Sequence, residues 1–309
     1  MCGIVGYFDK RPDPRASVGK ILLRMMSALG RRGPDSAGAA VFGDPHGIVV
    51  RVKLGESGDL APRADAVTEA ARTRVGVRAA NREGRYLRLL VEGFEEVRSL
   101  ESALEQVHPE VEVISIGRRL EIMKEVGSPA GLEETFAFST FIGTHGIGHT
   151  RMSTESRVDL SHSQPFWAHG TLDLAVVHNG HITNYHKLRR RYEQRGVRFY
   201  TENDSEVIGI YLADRMGEGL PLAEALQASI ADLDGSFSYL AAVGDALGYA
   251  KDPFCMKPLI VAETDEFVAL ANEGLAFSAA FEAELETREL SNRQSHTWFL
   301  QGLGASRAA

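Results

Sequence analysis

The chain has 309 residues, of which 44% are hydrophobic and 25% charged, and this balance excludes a disordered or fibrous protein. Its 34 basic and 42 acidic side chains leave a net charge of −8, which argues against a nucleic-acid partner because phosphate contacts need clustered Lys and Arg. Two cysteines, Cys2 and Cys255, are too few for a disulfide framework in a chain of this size.

The sequence shows neither a membrane span nor an export signal. No apolar run approaches the roughly 20 consecutive residues that span a bilayer. The first ten residues lack the charged start and the long apolar stretch of a signal peptide. We therefore expect a cytoplasmic protein with no membrane partner.

The N-terminal fifty residues predict a strand, a helix and a loop. Residues 2–8 are apolar and β-branched, which is typical of a buried strand. Ser17 is a candidate N-cap for a helix that continues to Leu29. Glycine and proline in residues 31–38 predict a loop. Two further strands are predicted after it, at 38–43 and 47–53.

Residues 56–138 differ in pattern from their surroundings and predict an inserted α+β subdomain. An apolar segment at 85–91 indicates a strand, and the alternation at 111–116 indicates another. Two helices are predicted in the same region, at about 95–107 and near 118–125.

The remainder of the chain is rich in strands, and residues 172–178 form the clearest one. Runs of strands with grouped helices predict layered α+β architecture. Helices are predicted at about 184–195, 204–216 and 221–233. Strands are predicted at about 236–243, 247–251, 258–262, 266–271 and 294–300.

Cys2 would become the N-terminal residue if Met1 were removed. Most free cysteines are small buried hydrophobes, and this remains the plain alternative for Cys2. The other interpretation is that Cys2 is a nucleophile, because an α-amine titrating at about 7.7–8.0 can serve as base for a thiol titrating at about 8.5. Direct transfer within one residue is geometrically awkward, so we expect a bridging water.

Five segments, in order along the chain, resemble the motifs of the class II glutamine amidotransferases, which are N-terminal nucleophile hydrolases. The segments are Cys2-Gly3-Ile4-Val5-Gly6, Arg32-Gly33-Pro34-Asp35-Ser36-Ala37-Gly38, Gly148-His149-Thr150-Arg151-Met152-Ser153-Thr154, His178-Asn179-Gly180 and Thr201-Glu202-Asn203-Asp204-Ser205-Glu206. The resemblance implies one amidotransferase domain over residues 1–309, built as a four-layer αββα sandwich of two stacked antiparallel sheets, with 56–138 as its α+β insertion.

The resemblance also implies a role for individual residues. Cys2 would attack the amide of L-glutamine and form a γ-glutamyl thioester, while Asn179 and the N–H of Gly180 would stabilise the oxyanion. Arg151 would bind the α-carboxylate through its planar guanidinium, and Asp204 would bind the α-ammonium. Taken alone, Asn179-Gly180 is an ordinary turn signal, and Asp204 an acid that caps or begins a helix.

Two further residues match family positions in the resemblance. Thr154 would add contacts to glutamine, and Arg32 would shape the loop around the nucleophile. The chain departs from common family patterns at Glu155 and at residues 163–166, where many members carry His-Pro. These departures flank the glutamine pocket and bear on its closure rather than on the chemistry.

Seven of the ten histidines lie between positions 145 and 186, which raises the possibility of a metal site. The candidate pairs are His145 with His149 and His178 with His181. Both pairs fall on predicted strands or turns, where these spacings do not converge on one point, so no metal is predicted. Cys255 is interpreted as a structural thiol.

The leading hypothesis is an enzyme that hydrolyses glutamine and passes ammonia to a synthase on another chain. Residues 115–124 and 251–253 resemble the stand-alone subunits of glutamate synthase-like complexes, including N-methylglutamate synthases, whose flavin and iron–sulfur centres belong to the partner. No cofactor is predicted for this chain, since two cysteines cannot hold a four-thiolate cluster. A free-standing glutaminase or γ-glutamyl hydrolase, and a catalytically silent regulatory subunit, are the alternatives.

Overall fold

A computed structural model of the chain describes residues 2–11, 16–44, 47–93, 96–152 and 158–300. The strands are β1 (Gly3–Asp9), β2 (Ser36–Phe42), β3 (Ile48–Lys53), β4 (Gly76–Glu83), β5 (Tyr86–Glu92), β6 (Glu112–Gly117), β7 (Leu120–Val126), β8 (His145–Arg151), β9 (Phe166–Trp167), β10 (Ala175–Ile182), β11 (Gly235–Val243), β12 (Ala246–Lys251), β13 (Ile260–Glu263), β14 (Phe267–Ala271), β15 (Thr287–Glu289) and β16 (Ser295–Phe299). The helices are α1 (Val18–Leu29), α2 (Leu60–Arg72), α3 (Val97–Glu105), α4 (Ala130–Phe136), α5 (Tyr185–Gln194), α6 (Asp204–Gly217), α7 (Leu222–Asp232) and α8 (Leu275–Ala280), with a short 3-10 helix at Phe138–Thr140.

Two antiparallel sheets stack face to face at the centre of the molecule. Within the described residues, the first has the strand order β15-β13-β14-β1-β8-β2-β7 and the second the order β16-β12-β11-β10-β9. Successive side chains of a strand point to opposite faces, so β1 buries Ile4 and Phe8 between the sheets, in one core with Val177 and Leu240. The N-terminal strand is therefore central to the fold and buried on both faces.

Helices cover the outer face of each sheet. Val5 of β1 packs against Leu22 of α1 in the outer core of the seven-stranded sheet. Val176 of β10 shares the opposite outer core with Ile208 of α6 and Leu226 of α7. The architecture is a helix–sheet–sheet–helix sandwich, which confirms the predicted fold class. No helix in the described ranges is both long and apolar enough to cross a membrane.

A third sheet, with the order β4-β5-β3-β6, forms a unit with α2 and α3 that we call the four-stranded module, residues 48–117. Its limits differ from the expected 56–138, because β3 belongs to it while β7 pairs with β2 in the seven-stranded sheet. Leu100 and Leu104 of α3 join the same core as the central sheets. The module is thus packed onto the sandwich.

The predicted helix near 118–125 is wrong, because residues 120–126 form β7. Leu120 and Ile122 point into the core between the sheets, whereas Met123 points into the core beneath α1. A strand buried on both faces loses the alternation of apolar and polar residues, so its pattern does not distinguish strand from helix. At α1 the predicted start is confirmed, but the Ser17 side chain makes no capping hydrogen bond.

Candidate active site

A cavity of about 800 Å³ opens where the start of β1, the ends of β8 and β10, and the start of α6 meet. Five residues singled out from widely separated segments line it: Cys2, Arg151, Asn179, Gly180 and Asp204. The two stacked sheets bring these segments together, since β1 pairs with β8 and lies across from β10. The tertiary structure therefore assembles one site from residues up to 202 positions apart, as the numbers of Cys2 and Asp204 give.

Cys2 precedes β1 and is held through both its side chain and its main chain. The N–H of Met152 donates to the Cys2 sulfur at 3.4 Å. The Cys2 carbonyl oxygen accepts hydrogen bonds from the amides of Asn179 and Asn272, each at 3.2 Å. Asn272 was not identified from sequence, although an asparagine directly after a buried strand is a position where a side-chain amide reaches the main chain.

Asn179 and Gly180 lie inside β10 and not in a turn, so the simpler interpretation of this pair is wrong. Asn179 pairs with Ser238 and Gly180 with Phe237 of β11. Gly180 has φ +143°, and a Cβ there would lie 2.2 Å from the Ser236 carbonyl oxygen. Only glycine fits this position, and the Asn179 amide lies on the cavity wall beside Cys2.

Arg151 ends β8 and is 5% exposed. Burial lowers the pKa of its guanidinium, and the negative charges of Cys2, Asp159 and Asp35 oppose that effect. A buried guanidinium on a cavity wall suits a carboxylate, because its planar fork can donate two parallel hydrogen bonds.

Asp204 is the first residue of α6, and its neighbour Asn203 is the N-cap, whose side chain accepts from the N–H of Ser205 at 3.0 Å. One carboxylate oxygen of Asp204 accepts from the N–H of Ile182 at 2.8 Å and lies 3.5 Å from Nδ1 of His181. The acid is therefore a first-turn residue of α6 rather than its cap, and its carboxylate also faces the cavity.

Arg32, one of the two further predicted contact residues, is not among the residues lining the cavity. Thr154 lies outside the described residues. Arg32 forms an ion pair with Glu273, which follows Asn272 in the chain. This ion pair attaches Arg32 to the segment that supports the Cys2 carbonyl, and its role in shaping the loop around Cys2 stays a prediction.

Gln164, noted only as a departure from the family pattern, joins β10 to the start of α6. Its side-chain oxygen accepts from the N–H of His178 at 2.6 Å, and its amide donates to the His178 carbonyl at 3.1 Å. The same amide donates to the Ser205 hydroxyl at 3.1 Å, and that hydroxyl is 2.8 Å from Nδ1 of His178. The residue thus holds the main chain directly before Asn179.

Three histidines of the candidate metal pairs, His145, His149 and His178, are buried. Burial lowers the pKa of His149 to about 3 and also lowers that of His178, which keeps both rings neutral. His145 is bound by Thr144 and by the carbonyl of Val243, at 2.7 Å each. Across the described ranges, no three or more His, Cys, Asp or Glu side chains are grouped to hold a metal ion.

Cys255 lies in the loop after β12 and is not among the residues lining the cavity. Its φ is +57°, and its N–H donates to Asp252 at 3.0 Å. Its sulfur donates to the Leu290 carbonyl at 3.5 Å. These contacts agree with a structural thiol.

Comparison with known proteins identifies relatives across most of the chain. A family model for the glutamine amidotransferase domain matches residues 149–279. A candidate glutamine amidotransferase of Methanothermobacter thermautotrophicus is 37% identical over 281 residues, covering 88% of this chain and 92% of that protein. The glutamine amidotransferase-like protein GlxB of Rhizobium meliloti is 35% identical over 275 residues, covering 88% and 89%.

Solved structures share the fold at low sequence identity. The glutamine phosphoribosylpyrophosphate amidotransferase of B. subtilis, complexed with ADP and GMP, superposes with a TM-score of 0.59 at 18% identity. The match covers 96% of this chain but 49% of that one, so this chain spans about half of the longer protein.

Proposed function

Because the chain belongs to the class II glutamine amidotransferases and is a glutamine-hydrolysing enzyme, we propose that Cys2 is its nucleophile. The sulfur of Cys2 attacks the side-chain amide carbon of L-glutamine, and the carbonyl oxygen becomes an oxyanion that accepts hydrogen bonds from Asn179 and Gly180. Collapse breaks the carbon–nitrogen bond and releases ammonia, which takes the proton removed from the thiol. Water then hydrolyses the γ-glutamyl thioester to glutamate and restores the thiol.

The base in this proposal is the α-amine of Cys2, which is available only after Met1 is removed. It takes the thiol proton through a water and returns it to the leaving nitrogen. The N–H of Met152, 3.4 Å from the sulfur, stabilises the thiolate.

Substrate recognition in this proposal uses opposite charges on the cavity wall. Arg151 binds the α-carboxylate and Asp204 the α-ammonium, so a free amino acid is favoured over a peptide-bound glutamine. Thr154 and Arg32 stay predicted contributors, the first through contact with glutamine and the second through the loop. The observation that carries the assignment is the convergence of Cys2 with both charged groups in one cavity.

Cys2→Ala is the decisive variant. We expect loss of ammonia release from glutamine with an unchanged unfolding transition, because alanine removes the sulfur and little volume. Cys255→Ala is the matched control and keeps full activity, since Cys255 does not line the cavity. Turnover by Cys2→Ala would contradict the assignment. Intact-mass measurement beside the assay tests the base, because a chain retaining Met1 is expected to be inactive.

We further propose that the ammonia passes to a separate, glutamate synthase-like subunit in the cytoplasm. The resemblance of residues 115–124 and 251–253 to stand-alone subunits of such complexes supports this partner. Co-purification from the native host, followed by mass spectrometry, tests it. A flavin- and iron–sulfur-containing partner is expected. Full glutaminase activity of the isolated chain, with no partner recovered, would instead favour a free-standing glutaminase.

A further inference from the structure

Tyr200 connects the wall of the glutamine cavity with the four-stranded module. Tyr200 lines the cavity, and its hydroxyl lies between two carboxylates of α3. The distances are 2.7 Å to Oε1 of Glu101 and 2.9 Å to Oε2 of Glu105. The module therefore contacts a residue of the cavity wall through the hydroxyl of Tyr200.

Each of the two carboxylates has a second partner that fixes it. Glu101 is 5% exposed and lies 2.6 Å from Nδ1 of His169. Glu105 accepts from Nη1 of Arg198 at 2.9 Å and from the N–H of Val113 at 3.1 Å. Helix α3 is thus held to the sandwich at this point by directional polar contacts, in addition to its apolar face.

The Tyr200 ring is fixed as well as its hydroxyl. It stacks on the His169 ring with centroids 3.7 Å apart and planes 11° from parallel. The Arg198 guanidinium lies over the Tyr200 ring, 4.4 Å from the ring centroid. Replacing the hydroxyl alone would leave these ring contacts in place.

A single phenolic proton faces two carboxylates. Burial raises the pKa of Tyr200, and the two glutamates raise it further, so the hydroxyl stays a donor. Burial also raises the pKa of Glu105. Without the phenol, Glu101 and Glu105 would face each other with no donor between them, which is unfavourable for two like charges.

The segment from Tyr200 to Asp204 connects the phenol that α3 binds with the carboxylate on the cavity wall. The N–H groups of Tyr200 and Thr201 donate to the Glu206 carboxylate at 2.8 and 2.9 Å. The Thr201 hydroxyl accepts from the N–H of Asn203 at 3.1 Å. These bonds leave the short segment little freedom between its attachment to α3 and the first turn of α6.

We propose that α3 positions the glutamine subsite, by holding Tyr200 and through it the segment that carries Asp204. Tyr200, Glu101 and Glu105 are positioning residues for the group that binds the α-ammonium. The inference rests on the proposed function for the role of Asp204. It assigns to the four-stranded module a part in substrate affinity rather than in the chemical step.

Tyr200→Phe tests the inference, because it removes the hydroxyl and keeps the ring. We expect the KM for glutamine to rise about fivefold with kcat within about twofold, as loss of hydrogen bonds to charged groups predicts. Hydrogen exchange of the amides from Thr201 to Ser205 is expected to become faster in the same variant. An unchanged KM together with unchanged exchange would overturn the inference.

A rescue variant separates positioning from general loss of packing. In Tyr200→Phe combined with Glu105→Gln, one of the two carboxylates loses its charge, so the repulsion between Glu101 and residue 105 that the lost phenol exposes is removed. We expect KM and exchange to return to within about twofold of the parent values. Failure of the double variant to recover would contradict the assigned role of the two carboxylates.

Tyr211→Phe is the matched control. The Tyr211 hydroxyl donates to Asp232 at 2.6 Å, the same kind of contact, but it lies on α6 away from the module and does not line the cavity. KM is expected to stay at the parent value, and an equal rise would overturn the inference. Cys2→Ala is assayed in parallel: its retained turnover would refute the nucleophile, while the exchange measurement still judges the positioning by α3.

Discussion

At the scale of single residues, the close pairing of β10 with β11 beside Asn179 depends on the absence of a side chain at Gly180. A Cβ at this residue would lie 2.2 Å from the Ser236 carbonyl oxygen and 2.7 Å from the Phe237 Cα, and its φ of +143° disfavours any other residue. Main-chain atoms cannot give way as a flexible side chain can. The close pairing of β10 and β11 at the cavity wall therefore requires glycine.

Gly180→Ala is expected to lower the unfolding free energy by more than about 1 kcal/mol and to reduce kcat for glutamine hydrolysis, because β10 must shift beside Asn179. Denaturant unfolding and a glutaminase assay measure the two effects. Gly196→Ala is the control: its φ is +82°, but a Cβ there meets no atom within 4 Å. If both variants lost the same stability and Gly180→Ala kept full kcat, the clash would not be the cause.

Some residues of the site can be predicted from sequence patterns and others cannot. Cys2, Arg151 and Asp204 are recognisable because the chemistry of each resides in its own side chain. Asn272 and Gln164 are not, because each acts by binding main-chain groups of another segment of the chain. A residue of that kind has no chemical signature until its partner is known.

At the scale of elements, Gln164 joins β10 to α6 and so links the strand that carries Asn179 to the start of the helix that carries Asp204. Its side chain is 5% exposed and makes three hydrogen bonds, two to the main chain of His178 and one to Ser205. Buried main-chain groups that lose such partners remain without water to replace them.

Gln164→Met keeps the approximate volume and removes these bonds. We expect the unfolding free energy to fall by about 2–3 kcal/mol, because the buried N–H of His178 is left unsatisfied, and kcat to fall as Asn179 loses its support. Urea unfolding and steady-state kinetics test this. Gln227→Met, which loses one exposed contact with Ser295, is expected to change stability by less than about 0.5 kcal/mol. Equal losses in the two variants would contradict the role of Gln164.

At the scale of the whole molecule, stacking two sheets buries histidines whose protonation opposes folding. His145 is fully buried, and its ring stacks on Phe42 with centroids 4.3 Å apart. Burial lowers the pKa of His145 to about 3, and that of His149 likewise. Between about pH 6.5 and pH 3 the unfolded chain binds protons that these folded residues do not, so stability falls as pH falls through this range.

Each of these histidines is expected to contribute a loss of about 1.4 kcal/mol per pH unit below about pH 6. His145→Phe preserves the stacking on Phe42. It should reduce the slope of the unfolding free energy against pH by about 1.4 kcal/mol per pH unit, even if stability at pH 7.5 is lower. Unfolding free energies from pH 7.5 to 4 measure this. Gln227→Met, which changes no titratable side chain, is the control and should leave the slope unchanged. Parallel curves for His145→Phe and the parent would refute the contribution.

The amino-acid sequence by itself determined the family and the positions of most strands and helices, and it predicted the nucleophilic and charged groups that line one cavity. These depend on local patterns: side-chain chemistry, short motifs and the periodicity of burial. It did not determine β7, whose two buried faces remove the alternation, or the limits of the four-stranded module. Nor did it indicate that Glu101 meets Tyr200 across 99 residues.

Such partnerships are decided when the sheets pair and stack, because many distant residues could satisfy the same polar group and only the tertiary structure selects one. The position of Cys2 illustrates both levels. Its thiol can be predicted as a nucleophile from the sequence. Its place between Met152, Asn179 and Asn272 follows from the central position of β1 between two packed layers.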